Sequence, residues 1–71
     1  MAEQNNVAKL YREFEEALVD VLTAEGELFF SRREKLRLAR RRLRAHDDFT
    51  QAGYDAVVLR AEAEAWKILD L

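Results

Sequence analysis

The chain has 71 residues, with no Cys, no Pro and a single His, and its formal net charge is −2. That length allows one small domain, here residues 1–71, with a core modest enough to benefit from a partner. The absence of Cys excludes disulfides and thiolate metal sites, and one His cannot form an imidazole cluster, so we expect neither a metal nor another cofactor.

A membrane or secretory role is disfavoured by the order of the residues. No apolar run approaches the roughly 20 residues needed to cross a bilayer, and the N-terminus lacks the basic and then apolar order of a secretory signal. We therefore expect a cytoplasmic protein that does not act at a membrane. The 49% hydrophobic and 37% charged residues are typical of a folded chain.

The charges are segregated along the chain. Residues 1–30 carry seven acids and two bases, residues 31–44 one acid and eight bases, and residues 45–71 six acids and two bases. The acidic arms either fold back on the basic centre, within one chain or across a dimer, or leave it to project positive potential outward. We expect the arms to cover the centre.

Helical periodicity begins near the N-terminus and predicts helix one over about residues 6–25, with Asn5 or Asn6 as its N-cap. The apolar positions of this helix are Val7, Leu10, Phe14, Ala17, Leu18 and Val21. The same phase resumes further on and predicts helix two over about residues 29–46. Its apolar positions are Phe29, Leu36, Ala39 and Leu43.

The junction between these two helices has two interpretations. Gly26 is the only breaker, and the S-x-x-E spacing of Ser31 and Glu34 is typical of a capping box, which favours a turn before helix two. The apolar run "ELFF" keeps the helical phase and favours one continuous helix. The two alternatives correspond to a hairpin and to a swapped antiparallel dimer, which make the same contacts.

Helix three is predicted over about residues 50–69, because Thr50 suits an N-cap and Phe49 and Tyr54 have the spacing of a hydrophobic staple. Its inner face comprises Tyr54, Val57, Val58, Ala61, Ala65 and Ile68. The chain is thus predicted to be an all-α protein, a small antiparallel helical bundle of two to three helices.

The apolar and charge patterns agree on one antiparallel arrangement of helices one and two. In the register that puts Phe14 level with Leu43, opposite charges also lie at matching levels. Glu13 is then level with Arg44, and Glu15 is level with Arg42.

One side of helix two carries arginines at spacings of three and four residues. This arginine stripe consists of Arg33, Arg37, Arg40, Arg41 and Arg44. Such a stripe suits the phosphates of a nucleic acid, and the alternative hypothesis for function is therefore a small nucleic-acid-binding regulator. The acidic flanks, the lack of a helix-turn-helix signature and the few aromatic residues nearby argue against it.

Helix three has a second apolar strip, formed by Leu59, Ala63 and Trp66, on the side opposite its inner face. A Trp on such a strip indicates a partner interface, since large aromatic residues dominate many binding surfaces. The simplest partner is a second copy of the chain, giving a homodimer, and a heterologous protein would leave the same pattern. The other interpretation is that Trp66 closes over the edge of the core.

Catalysis has little support in the sequence, which shows no nucleophile set, phosphate-binding Gly loop or metal-ligand spacing. His46 is more simply explained as a favourable partner for the dipole at the end of helix two. The sequence therefore predicts a non-enzymatic protein-interaction or regulatory module that self-associates and binds through helix three.

Overall fold

The computed structural model describes residues 6–70, which form three α-helices and no strand. The helices are α1 (Val7–Leu22), α2 (Leu28–Arg44) and α3 (Gln51–Leu69). The principal packing joins α1 to α2 and α1 to α3, so α1 is the central element. The predicted all-α bundle is confirmed. In the part of the chain described here, none of the helices is long and apolar enough to traverse a bilayer.

The first helix starts as its sequence predicts. Asn6 is the N-cap, and its Oδ1 accepts the N–H of Ala8 at 2.9 Å. The alternative cap, Asn5, lies outside the described residues. At the other end α1 stops at Leu22, about three residues earlier than predicted, where the Thr23 hydroxyl donates to the Val19 carbonyl at 2.9 Å.

The junction after α1 is a turn, and the chain forms a hairpin. Gly26 has a φ of +61°, the left-handed region that side-chain-bearing residues rarely adopt, and it reverses the chain. Helix α2 then begins at Leu28 with no side-chain cap, so the predicted capping box at Ser31 is wrong. Residues Leu28, Phe29 and Phe30 form the first turn of α2 directly after the reversal at Gly26. Ser31 therefore lies inside the helix and cannot cap it. The alternative prediction, in which helices one and two form one continuous helix, is also wrong, since α1 ends at Leu22 and α2 begins at Leu28.

The start of α3 follows the prediction closely. The N–H of Gly53 donates to the Thr50 hydroxyl at 3.0 Å, and the rings of Phe49 and Tyr54 meet edge to face at 5.8 Å, which completes the staple. The phenol of Tyr11 ties this cap to α1. It accepts the Thr50 N–H at 3.0 Å and donates to the Thr50 carbonyl at 3.2 Å.

The core lies where all three helices meet. Phe14 is 1% exposed and Leu43 is fully buried, and both pack with Val57. The Tyr54 ring stacks on Phe14 with centroids 5.0 Å apart. The buried face of α3 continues through Ala61 and Ala65, as predicted.

The predicted inner face of α3 fails at its end, since Ile68 is 43% exposed. The packing of α3 near its C-terminus rests on small alanines, which do not hold the last turn deeply against α1.

Contacts between the helices show the direction of α3. Tyr11 lies beside Thr50, and Glu15 further along α1 lies beside Arg60 further along α3, so α3 runs parallel to α1 and antiparallel to α2.

Candidate interaction surfaces

The bases of residues 31–44 divide between two sides of α2. One set faces the acids of α1 across an open groove. That acid-base groove is lined by Glu13, Glu16, Ala17, Asp20, Arg32, Lys35, Leu38, Ala39 and Arg42. Within it Arg42 forms an ion pair with Glu13 at 3.8 Å, and Arg32 donates to the backbone carbonyl of Asp20 at 3.2 Å. Three of the eight bases therefore have α1 acids as neighbours.

The charge partners differ from the level-matched pairs. Glu13 pairs with Arg42, where the predicted register put Arg44, and Glu15 pairs with Arg60 of α3. Matching levels along two helices does not fix which side of each helix a residue occupies. Glu15 follows Glu13 by two residues, so its side chain is rotated by about 200° around the axis of α1. Glu13 therefore faces α2, whereas Glu15 faces α3.

The ion pair between Glu15 and Arg60 links α1 to α3 and is the best formed of the described chain. The guanidinium donates through Nε and Nη2 to the two carboxylate oxygens, at 2.8 and 2.9 Å. This hydrogen bonding lowers the pKa of Glu15 and raises that of Arg60. The bidentate geometry is specific to Arg, and a Lys at this position would keep only the charge.

The lowered pKa of Glu15 predicts a pH dependence. The carboxylate stabilises the fold above the pKa that Glu15 has in the unfolded chain, and this contribution is lost as pH falls through its lower folded value. Urea unfolding at pH 7 should therefore show Glu15→Gln to be less stable than wild type, by less than a core truncation because the Arg60 side chain of the pair is 64% exposed to solvent. At pH 3 the difference should shrink. The exposed Glu64 offers a control, and an equal loss for Glu64→Gln would contradict the assignment.

The predicted arginine stripe lies on the other side of α2, and all five of its side chains are exposed. Arg37 hydrogen bonds to Glu34 one turn earlier, at 2.8 Å, and this bond lowers the pKa of Glu34. The guanidinium carbon of Arg44 lies 5.9 Å from the ring centre of Phe49, a cation–π distance. No carboxylate of the described residues forms an ion pair with Arg40 or Arg41. The acids of the two arms that the structure describes thus do not pair with this side.

Next to the stripe runs a second groove with an apolar floor, which we call the Phe29 groove. It is lined by Val21, Phe29, Arg33, Leu36, Arg37 and Arg40. Phe30, in the first turn of α2, is 70% exposed, and its ring contacts the Phe29 ring edge to face with centroids 5.6 Å apart. The first turn of α2 thus places two aromatic residues, Phe29 and Phe30, at the N-terminal end of the stripe.

The second strip of α3 is exposed along its length. Leu59 is 68% exposed, Trp66 is 72% exposed, and Ala63 between them is exposed as well. Trp66 consequently does not close over the edge of the core. It lines a shallow depression, here the Trp66 groove, together with Leu22, Glu62, Ala65 and Leu69.

Sequence reasoning missed the contribution of Leu22 and Leu69 to this surface. Leu22 is the last residue of α1 and Leu69 the last of α3, and both are partly exposed. The parallel course of α1 and α3 brings these two helix ends together. Their distance along the chain left no local pattern from which to infer it.

His46 follows the end of α2 and belongs to the connection to α3. Its Nδ1 accepts the backbone N–H of Asp48 at 3.0 Å. Through this bond the ring shapes the connection as well as lying near the helix end. Within residues 6–70 no three or more His, Asp or Glu side chains are grouped so as to hold a metal ion.

No protein-family model matches the sequence, and no curated protein and no solved structure matches it. Any inference about the function of this chain is therefore based on its own surfaces.

Proposed function

We propose that the chain is a non-enzymatic helical interaction module that self-associates as a homodimer through the C-terminal half of α3, in the cytoplasm. The observation that carries the proposal is the exposed Trp66 in a groove shared with Leu22 and Leu69. Leu59 and Ala63 extend the same surface by two turns towards the N-terminus of α3.

The burial pattern supports a partner at this surface. The buried apolar residues are Phe14, Leu43, Val57, Ala61 and Ala65, which is a small core. An exposed indole surrounded by leucines is costly in water, and burying a Trp in an apolar pocket supplies much of the binding energy at many interfaces. A small domain of this kind gains stability by association.

A second copy is the occupant that fits the chemistry best. The Trp66 groove contains one charged residue, Glu62, and is otherwise apolar. An apolar patch is complementary to itself about a two-fold axis, whereas a highly charged partner would leave its charges unpaired there. Dimerisation would bury the same residues of both copies.

Trp66→Ala tests this proposal. We expect wild type to sediment as a dimer at micromolar concentration and the variant to dissociate about 30-fold more readily, the effect of losing about 2 kcal/mol at a hot spot. Because Trp66 is the only Trp, its fluorescence offers a second readout. Emission should move to shorter wavelength as wild type is concentrated and the indole leaves water.

Leu38→Ala is the matched control, since Leu38 is a partly exposed apolar residue that lines the acid-base groove of α2. It should dimerise like wild type. Wild type that stays monomeric at high concentration, with an unchanged emission maximum, would contradict self-association. Equal weakening by Leu38→Ala and Trp66→Ala would show that the interface lies elsewhere.

A further inference from the structure

Most of the arginine stripe has no acidic partner among the described residues. Of the eight bases in residues 31–44, Arg32, Lys35 and Arg42 line the acid-base groove, and the other five form the stripe. Within residues 6–70, the only acid that forms an ion pair with a stripe arginine is Glu34, on the same helix. A molecule with a net charge of −2 thus presents one strongly positive side.

The stripe has the dimensions of a backbone-binding track. From Arg33 to Arg44 the helix rises about 16 Å, and the arginines recur about once per turn. One guanidinium group can donate two parallel hydrogen bonds to the oxygens of a phosphate. A row of arginines can therefore neutralise successive phosphates of one strand. This spacing alone does not distinguish a nucleic acid from another polyanion.

The aromatic pair supplies the second, independent observation. Phe30 is 70% exposed at the N-terminal end of the stripe, and the Phe29 groove beside it combines an apolar floor with Arg33, Arg37 and Arg40 at its rim. A volume of about 310 Å³ gives this groove room for a nucleobase-sized group. Aromatic rings next to a positive track are the elements with which proteins hold unpaired bases.

We infer that this side of α2 binds single-stranded nucleic acid, with phosphates along the arginine stripe and a base stacked on Phe30 or lying in the Phe29 groove. A membrane surface fits less well, because a helix lying in a bilayer needs an apolar face along its length. The apolar face of α2 is committed to the core through Leu36, Ala39 and Leu43. This site is separate from the Trp66 groove, and the inference does not depend on dimerisation.

The test is fluorescence anisotropy of a labelled oligothymidylate with the full chain over a salt series. With about four phosphates neutralised, log K should fall with log salt at a slope of about −3, since each contact on a single strand contributes about −0.7. Arg40→Gln with Arg41→Gln should weaken binding at least tenfold and make the slope about 1.4 shallower. Lys35→Gln with Arg42→Gln removes the same charge from the acid-base groove and should leave binding near wild type.

Phe30 separates stacking from charge. Phe30→Ala should lower the affinity about tenfold without altering the salt slope, and Phe30→Trp should retain it. Each variant changes an exposed side chain, and circular dichroism checks that the helices persist. The inference is overturned by an absence of binding at 50 mM salt, by equal losses in the two Gln pairs, by tighter binding to duplex DNA of the same length, or by preference for vesicles containing anionic lipid.

Discussion

Phe14→Ala is expected to unfold most of the protein. Phe14 is 1% exposed and stacks on Tyr54 at the point where the three helices meet. Truncating a buried Phe costs about 3–5 kcal/mol, and a single core of this size rarely supplies more than about that much. Urea denaturation followed by circular dichroism should show little helix left in the absence of denaturant.

Phe30→Ala is the matched control, because it removes the same atoms from a ring that is 70% exposed. Its free energy of unfolding should stay within about 0.5 kcal/mol of wild type. Both variants must be compared at one protein concentration, since self-association would add to the apparent stability of each. Comparable losses for Phe14 and Phe30 would mean that the core is not where the structure places it.

Gly53→Ala should destabilise the protein although Ala favours helix. A Cβ at position 53 would lie 2.8 Å from the Tyr11 hydroxyl and 2.9 Å from the Thr50 hydroxyl, both closer than side chains pack. The phenol cannot move away cheaply, because it holds two hydrogen bonds to the Thr50 backbone. The gain in helix propensity is about 1 kcal/mol, and the loss of these bonds exceeds it, leaving a net cost of about 1–2 kcal/mol.

A double-mutant cycle checks the cause. In a Tyr11→Phe background the hydroxyl is absent, so Gly53→Ala should cost less there than in wild type. The thermal midpoints of the four proteins give the coupling between the two positions. If Gly53→Ala stabilises the wild-type protein, the close approach of Tyr11 to α3 is not maintained in solution.

Local signals predicted much of the fold. The helical repeat identified Phe14, Leu43 and Val57 as core residues, and the caps at Asn6 and Thr50 were read from their side-chain chemistry. The connection between α1 and α2 was less certain, because two local signals competed there. The freedom of Gly26 to reverse the chain prevailed over the unbroken apolar phase of "ELFF", and the helix resumed at Leu28, before the potential cap at Ser31.

The candidate surfaces were only half predictable. Periodicity located Trp66 on an outward strip, yet its neighbour Leu22 comes from another helix and depends on how α1 and α3 are placed. The charge pattern likewise indicated that acids and bases would meet. It did not show that Arg42 would face α1 while Arg41 faced away, because that division is decided by the rotation of α2 about its own axis.

The parallel course of α1 and α3 sets where the two ends of the described chain emerge. The structure is 38 Å long. Asn6 caps the start of α1, and Asp70 caps the end of α3, so the two termini lie towards opposite ends of the bundle. An affinity tag or reporter fused behind α3 would therefore sit beside Leu69 and crowd the Trp66 groove. A fusion ahead of α1 would leave that groove open, which makes it the safer design for capture experiments.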